Sequence, residues 1–310
     1  MTQLAFVFPG QGSQQVGMLS SIASDFPIVT STFSEASEVL GYDLWQLAKE
    51  GSAELQAMTE KTQPLLLTAS IALWRAWQSQ GGSDPVVMSG HSLGEWSALV
   101  CAEVLSFKDA VALVRLRGQF MQHAVPVGVG GMAAIIGLDD DKINMICRQV
   151  SQAGVEVAAV NFNSPGQVVI AGHAPAVERA MSECKAAGAK RALSLPVSAP
   201  FHTSLMKPAS EEMAKRLESV PFHSPKIPVI HNVTADTCEN PDKIKALLIE
   251  QIYQPVRWVE CVEALGRLGA QSAIECGSGK VLSGLVKRIN KALPCVSIEA
   301  PDSMVSALSL

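Results

Sequence analysis

Five apolar residues in a row, Leu4-Ala5-Phe6-Val7-Phe8, stop abruptly at Pro9-Gly10-Gln11-Gly12-Ser13. A run this short, bounded by turn residues, is the mark of a strand buried on both faces. The same texture returns at residues 85–88, while residues 62–78 and those following Gly94 carry apolar side chains at helical spacing. Buried strands alternating with amphipathic helices predict an α/β fold built on a parallel sheet flanked by helices.

Composition agrees with a large internal core. The chain has 310 residues, of which 48% are hydrophobic and 17% charged, against about 25% charged in ordinary soluble chains. At about 150 residues per domain, this is roughly two domains. The apolar residues are scattered in short pieces, far from the roughly 18 in succession that a membrane span requires. No basic residue precedes the first apolar run, so no signal peptide and no membrane association are expected. The net charge is −5 and no run of Lys or Arg exceeds two, which argues against a nucleic-acid partner. Seven cysteines, none in a C-x-x-C pair, offer neither a zinc signature nor a disulfide framework. The expectation is a reduced, cytoplasmic protein with no metal.

The texture changes after His123. A Gly-rich stretch, Pro126-Val127-Gly128-Val129-Gly130-Gly131, is followed by strand-like and helix-like runs at 132–138, 140–153, 155–160, 167–171, 174–187 and 192–197. Their order is β-α-β-β-α-β, the split pattern of a ferredoxin-like subdomain. Residues 126–197 are therefore expected to interrupt one hydrolase-like catalytic α/β domain formed by 1–125 and 198–310.

Gly90-His91-Ser92-Leu93-Gly94 has the G-x-S-x-G form of a nucleophile elbow, between an expected strand and an expected helix. Glycines two residues either side make room for a tight turn that exposes Ser92 Oγ at a helix N-terminus. Backbone N–H groups there can stabilise a developing oxyanion. A serine needs a base. Among six histidines, His202 lies in the loop Ser198-Ala199-Pro200-Phe201-His202, which leaves an expected strand and can overhang the sheet edge. His91 adjoins the nucleophile and should leave the turn in another direction. Ser106-Phe107-Lys108-Asp109 looks like a helix N-cap, and the helix it starts shows Ala110, Leu113, Val114, Arg117 and Met121 on one stripe. An arginine in an apolar stripe needs an anion. That anion is an internal carboxylate or a substrate carboxylate. Two further glycine patterns carry no cofactor. Gly10-x-Gly12 has Gln15 in place of the third glycine of a dinucleotide fingerprint, and Gly277-Ser278-Gly279-Lys280 lacks a P-loop's first glycine and its Ser or Thr.

Together these segments resemble the malonyl-CoA:acyl-carrier-protein transacylase family over essentially the whole chain. Phe8-Pro9-Gly10-Gln11-Gly12-Ser13-Gln14, Thr62-Gln63-Pro64, Gly90-His91-Ser92-Leu93-Gly94-Glu95, Arg117-Gly118, Asn163-Ser164-Pro165-Gly166-Gln167 and Ala199-Pro200-Phe201-His202 carry the resemblance, in the family's order. The resemblance implies Ser92 as acylated nucleophile, His202 as its base, and the backbone N–H groups of Gln11 and Leu93 as the oxyanion hole. It implies Arg117 as the partner of the malonyl carboxylate, Gln63 as pocket lining, and Gln251 as the residue orienting His202 through its carbonyl. Phe201 beside the histidine goes with malonyl rather than methylmalonyl. Trp96 departs from the pattern, where Tyr is commoner. The implied partners are malonyl-CoA and acyl carrier protein, with a monomeric enzyme, no cofactor, and Lys190, Arg191, Lys280, Lys287 and Arg288 as candidates to dock an acidic carrier. Rival readings are an acyltransferase serving a polyketide or polyunsaturated-lipid synthase, a serine hydrolase, and a silent carrier-binding module. The hydrolase is disfavoured because neither an HGGG-type oxyanion motif nor an Asp or Glu beside the His202 loop is present.

Overall fold

Residues 2–197 and 199–310 are described by the structure, a computed structural model. The chain runs β1 (Leu4–Phe8), α1 (Ser20–Asp25), α2 (Pro27–Leu40), α3 (Leu44–Glu50), α4 (Ala53–Ala57) and α5 (Thr59–Ser79). Next come β2 (Val87–Gly90), α6 (Leu93–Cys101) and α7 (Phe107–His123). The middle segment is β3 (Gly130–Ile136), α8 (Asp140–Val150), β4 (Val157–Ser164), β5 (Gln167–His173), α9 (Ala174–Ala186) and β6 (Arg191–Ser194). The remainder is α10 (Lys207–Leu217), β7 (Val229–Ile230), α11 (Pro241–Gln251), α12 (Trp258–Arg267), β8 (Ser272–Glu275), α13 (Val281–Ile289), β9 (Cys295–Ser297) and α14 (Pro301–Ala307).

Two sheets result. The first has the order β7-β2-β1-β8-β9 with every pairing parallel. β1 sits in the middle, which explains its unbroken apolar run. Leu4, Phe6 and Phe8 point into a core shared with α5 and α6, while Ala5 and Val7 point into a second core with Trp258, Leu265, Leu282 and Val286 of α12 and α13. Each fully buried large side chain contributes about 1.5–3 kcal/mol. The loops after β1, β2 and β8 emerge together at the carboxyl edge of this sheet, where the strand order reverses around β1 and where open α/β sheets bind ligands.

The second sheet is antiparallel, ordered β4-β5-β3-β6. With its β-α-β-β-α-β chain order this is ferredoxin-like. Ala133, Ile135, Val168 and Ile170 face α8 and α9, whereas Met132, Val169 and Ala171 face the core of the larger sheet. One face of the small sheet therefore closes over the catalytic edge of the large one. Val256, just beyond α11, fastens the two: its N–H donates to Val160 O at 2.8 Å and its carbonyl accepts from Phe162 N–H at 3.0 Å.

Some boundaries differ from expectation. β2 covers Val87–Gly90 rather than 85–88, because pairing of Ala5 with Val87 through Phe8 with Gly90 carries the ladder up to the elbow. β6 stops at Ser194, where its pairing with β3 ends at Ala133. Ser198, the first residue of the His202 loop and the expected domain boundary, lies outside the described residues.

Candidate active site

The elbow is made by close packing. A Cβ at Gly90 would sit 1.9 Å from the backbone of Gly94, one at Gly94 would sit 1.9 Å from Phe8 O, and one at Gly10 would sit 2.4 Å from His91 O. Both turns therefore require glycine simply to touch. Ser92, between them, has φ 51° and ψ −105°. Backbone strain of this kind costs about 1–3 kcal/mol and persists only where the surroundings enforce it. It leaves Ser92 Oγ uninvolved in capping α6.

Ser92 Oγ lies 2.8 Å from His202 Nε2, and His202 Nδ1 lies 2.8 Å from the Gln251 carbonyl oxygen. A carbonyl only accepts, so Nδ1 carries the proton and Nε2 is free to accept from the serine hydroxyl. His202 is buried and also has a positive φ of 64°. Its pKa is pushed down to about 3, first by burial and then by the charge of Arg117, against the pull of the Gln251 carbonyl.

Arg117 reaches the same serine from α7. A Cβ at Gly118 would meet Thr59 O at 2.6 Å, so glycine there lets α7 press against the start of α5 and brings Arg117 to Gln63. Ser106 caps the helix, accepting from Asp109 N–H at 3.1 Å. The guanidinium is 1% exposed and donates to Gln63 Oε1 at 2.9 Å, Gln251 Oε1 at 3.0 Å and Ser92 Oγ at 3.2 Å. All three acceptors are neutral, and its Nε–H has no partner among the described residues. The internal-ion-pair reading of Arg117 is thus corrected: this cation is desolvated without a carboxylate in contact. Burial pushes its pKa down to about 10, opposed by the more distant Glu95.

These groups open into a cleft between the two sheets, lined by Gln11, Gln63, Ser92, Leu93, Arg117, Phe201 and His202 together with His91, Met121 and Leu195. The backbone N–H groups of Gln11 and Leu93 have no acceptor among the described residues. Gln251 lies behind the cleft, fully buried. Ser92, His202, Gln11, Leu93, Arg117, Gln63 and Phe201 therefore share one cavity, with Gln251 directly behind it.

Sequence reasoning missed a second layer. Asn232 Oδ1 accepts the Ser92 N–H at 2.8 Å and its Nδ2 donates to Gly90 O at 2.7 Å, bracketing the elbow. His91 Nε2 meets Asn163 Oδ1 at 2.7 Å, tying the elbow to β4, and burial lowers its pKa. Glu95 is buried against His231, Asn232 and Gln251. Glu95, the one charged residue of Leu93–Cys101, was the one local signal of this layer. Trp96, the departure from the family pattern, is fully buried with an unpartnered Nε1 among the described residues. The Gly277–Lys280 turn is a packing turn: a Cβ at Gly277 would meet Pro9 Cγ at 2.4 Å, and Gly279 N–H donates to Glu299 at 2.6 Å.

Comparison with known proteins places the chain in a family. Residues 5–287 match the family described as "Acyl transferase domain". The chain is 56% identical over 310 residues, 100% of each chain, to the malonyl CoA-acyl carrier protein transacylase of Escherichia coli (strain K12). It is 46% identical over 308 residues to the protein of the same name from Bacillus subtilis (strain 168), covering 99% of this chain and 97% of that one. An acyl carrier protein S-malonyltransferase structure from Vibrio cholerae superposes with a TM-score of 0.96 at 56% identity, over 98% of this chain and 99% of that one. A malonyl-transacylase solved in complex with a type II PKS acyl-carrier protein superposes with a TM-score of 0.98 at 52% identity, over 99% of each chain. With the family match spanning residues 5–287 and 56% identity running the full length of both chains, the chain belongs to the acyl transferase domain family and, within it, to the malonyl CoA-acyl carrier protein transacylases.

Proposed function

We propose that the chain transfers the malonyl group of malonyl-CoA to the phosphopantetheine thiol of an acyl carrier protein, as a step of fatty-acid synthesis. The observation that carries this reading is Arg117, a buried cation beside Ser92 with only neutral acceptors around it. A guanidinium so placed suits an acyl group that ends in a carboxylate. Ser92 Oγ attacks the thioester carbonyl carbon while its proton moves to His202 Nε2. The oxyanion forms against the N–H groups of Gln11 and Leu93. The C–S bond breaks and the leaving coenzyme A sulfur takes the proton from His202. In the second half, the carrier thiol gives its proton to His202 and attacks the malonyl-Ser92 ester, and Ser92 Oγ recovers the proton. The kinetics are ping-pong. Coenzyme A and phosphopantetheine are parts of the substrates, so the route requires no cofactor or metal. A cytoplasmic location is part of the reading, supported by seven cysteines in no framework spacing.

Intact-mass spectrometry tests this. After mixing with malonyl-CoA, the wild-type chain should gain one malonyl group on Ser92, discharged by holo carrier protein, while Ser92→Ala gains none. Discharge by water as fast as by carrier would sink the transferase. A polyketide carrier is a second reading, favoured by the relative solved with a type II PKS acyl-carrier protein. Rates against several purified carriers separate the two.

A further inference from the structure

Beneath the nucleophile lies a carboxylate for which the proposed chemistry has no use. Glu95 is the third residue of α6 and is 0% exposed. Ser92-Leu93-Gly94-Glu95 has the S-x-x-E form of a capping box, in which the serine caps N3 and the glutamate returns to the N-cap N–H. Neither half forms here. Ser92 Oγ is engaged by His202 and Arg117, and Ser92 N–H is taken by Asn232. Glu95 turns instead to His231 Nδ1 at 2.8 Å, Asn232 N–H at 2.9 Å and Gln251 Nε2 at 2.7 Å.

The contact with Gln251 has a directional consequence. A primary carboxamide has two ends of nearly the same shape, distinguishable only by what they meet. Arg117 can only donate, and a carboxylate accepts. Placed at opposite ends of the Gln251 amide, they allow one orientation: Nε2 toward Glu95, and Oε1 toward Arg117 NH2 at 3.0 Å. Nε2 also donates to Ser92 O at 3.0 Å, and the backbone carbonyl of the same residue holds His202 Nδ1. Glu95 is thus the one charged acceptor, and the nearest, of three at Gln251 Nε2, the others being Ser92 O and Asn232 Oδ1 at 3.2 Å, and Gln251 in turn touches the guanidinium and the base. Glu95 also accepts from the Asn232 backbone N–H.

We propose that Glu95 is a positioning residue for acyl selection, acting through the Gln251 carboxamide to hold the Arg117 guanidinium where the acyl carboxylate binds. The inference rests on Arg117 as the carboxylate partner, as proposed above. In Glu95→Gln, a single acceptor oxygen and an NH2 end must meet three donors. The Gln251 amide then loses its charged anchor and is held at Nε2 only by the Ser92 and Asn232 oxygens, which loosens its Oε1 against Arg117.

The test measures Ser92 acylation rates of the full chain with malonyl-CoA and with acetyl-CoA. In Glu95→Gln the KM for malonyl-CoA should rise and the malonyl-over-acetyl preference should fall about tenfold or more, with the acetyl rate held within about threefold. Glu95→Asp, which keeps the charge, should keep the preference. A folded Glu95→Gln enzyme with wild-type preference, or a Glu95→Asp enzyme that loses it equally, overturns the proposal. Should Glu95→Gln fail to fold, a neutron structure of the wild type decides: two deuterons on the Gln251 atom facing Glu95 support it, and the opposite orientation overturns it. Wild-type chain that takes no malonyl from malonyl-CoA overturns the functional reading itself. An acylated wild type beside an unchanged Glu95→Gln preference overturns this inference alone.

Discussion

His202 shows how a single residue can be committed to one protonation state by its surroundings. Buried, and near the charge of Arg117, its imidazole titrates near 3 instead of 6.5, so it remains neutral and able to accept a proton across the working range. The acid limb of kcat/KM for malonyl-CoA should accordingly lie well below pH 6.5. Arg117→Ala removes one of the two leading causes of the depression, so the limb should move upward toward 6.5 when acetyl-CoA is the donor. An unmoved limb would show that the charge of Arg117 does not reach the base. Stability carries the same sign. Between pH 6.5 and about 3 the unfolded chain binds a proton at this position that the folded chain refuses, so folding stability declines as pH falls through that window. His91, also lowered by burial, adds to the decline. His202→Gln should flatten the fall in Tm between pH 6.5 and 4, and a Tm profile unchanged by that substitution would contradict the assignment.

At the scale of elements, the two kinds of glycine in this chain behave differently. Gly94 is needed for space, because a Cβ there would lie 1.9 Å from the Phe8 carbonyl oxygen. Gly41, which ends α2 at φ 74°, has nothing within 4 Å of a built Cβ and is needed only for its backbone conformation. Gly94→Ala should cost about 3 kcal/mol or prevent folding, whereas Gly41→Ala should cost about 1–2 kcal/mol. Urea unfolding distinguishes them, and equal losses would mean that the elbow relaxes freely. The same contrast explains which elements could be foreseen. β1 and α7 declare themselves by local pattern, an apolar run ended by turn residues and a stripe opened by a serine cap. The end of β2, Ser89-Gly90, has no apolar pattern and is a strand only because β1 and β7 pair with it. β7 itself, two residues long, has no local pattern to announce it.

For the whole molecule, the small sheet is tied to the segment that holds the base and borders the basic residues that are candidates to dock a carrier. Its β4 pairs with Val256, five residues beyond the carbonyl that orients His202, so the contact that fastens the two sheets lies on the same stretch of chain that holds the base. The exposed residues Lys190, Arg191, Lys287 and Arg288 lie where α13 meets this sheet, with Arg288 reaching Gln167 at 2.5 Å and the Lys190 stem against Gly137. Lys280, at the other end of α13, is also exposed. Exposed charges of this kind steer an acidic partner and act mainly on association. Lys287→Glu with Arg288→Glu should raise the KM for carrier protein about tenfold at low salt, leaving Ser92 acylation by malonyl-CoA unchanged. An unchanged carrier KM would return these side chains to the solvated surface.

Local chemistry in the sequence was enough to name the strand–elbow–helix at Ser92, the arginine stripe, the order of the inserted sheet and, through a family resemblance, the residues that line the cleft. Each rests on spacing within a few positions, where helix and strand periods leave a legible trace. What the tertiary structure decided was the set of partners. Arg117 proved to have no carboxylate in contact among the described residues, and the elbow proved to be held by Asn232 and Gln251, side chains up to 159 positions from the atoms they bond. Hydrogen bonds between such distant segments leave no period in the sequence. They exist only because parallel strands and the helices between them bring their ends to one edge of a sheet, and there a buried polar group must be satisfied by whatever the fold places beside it.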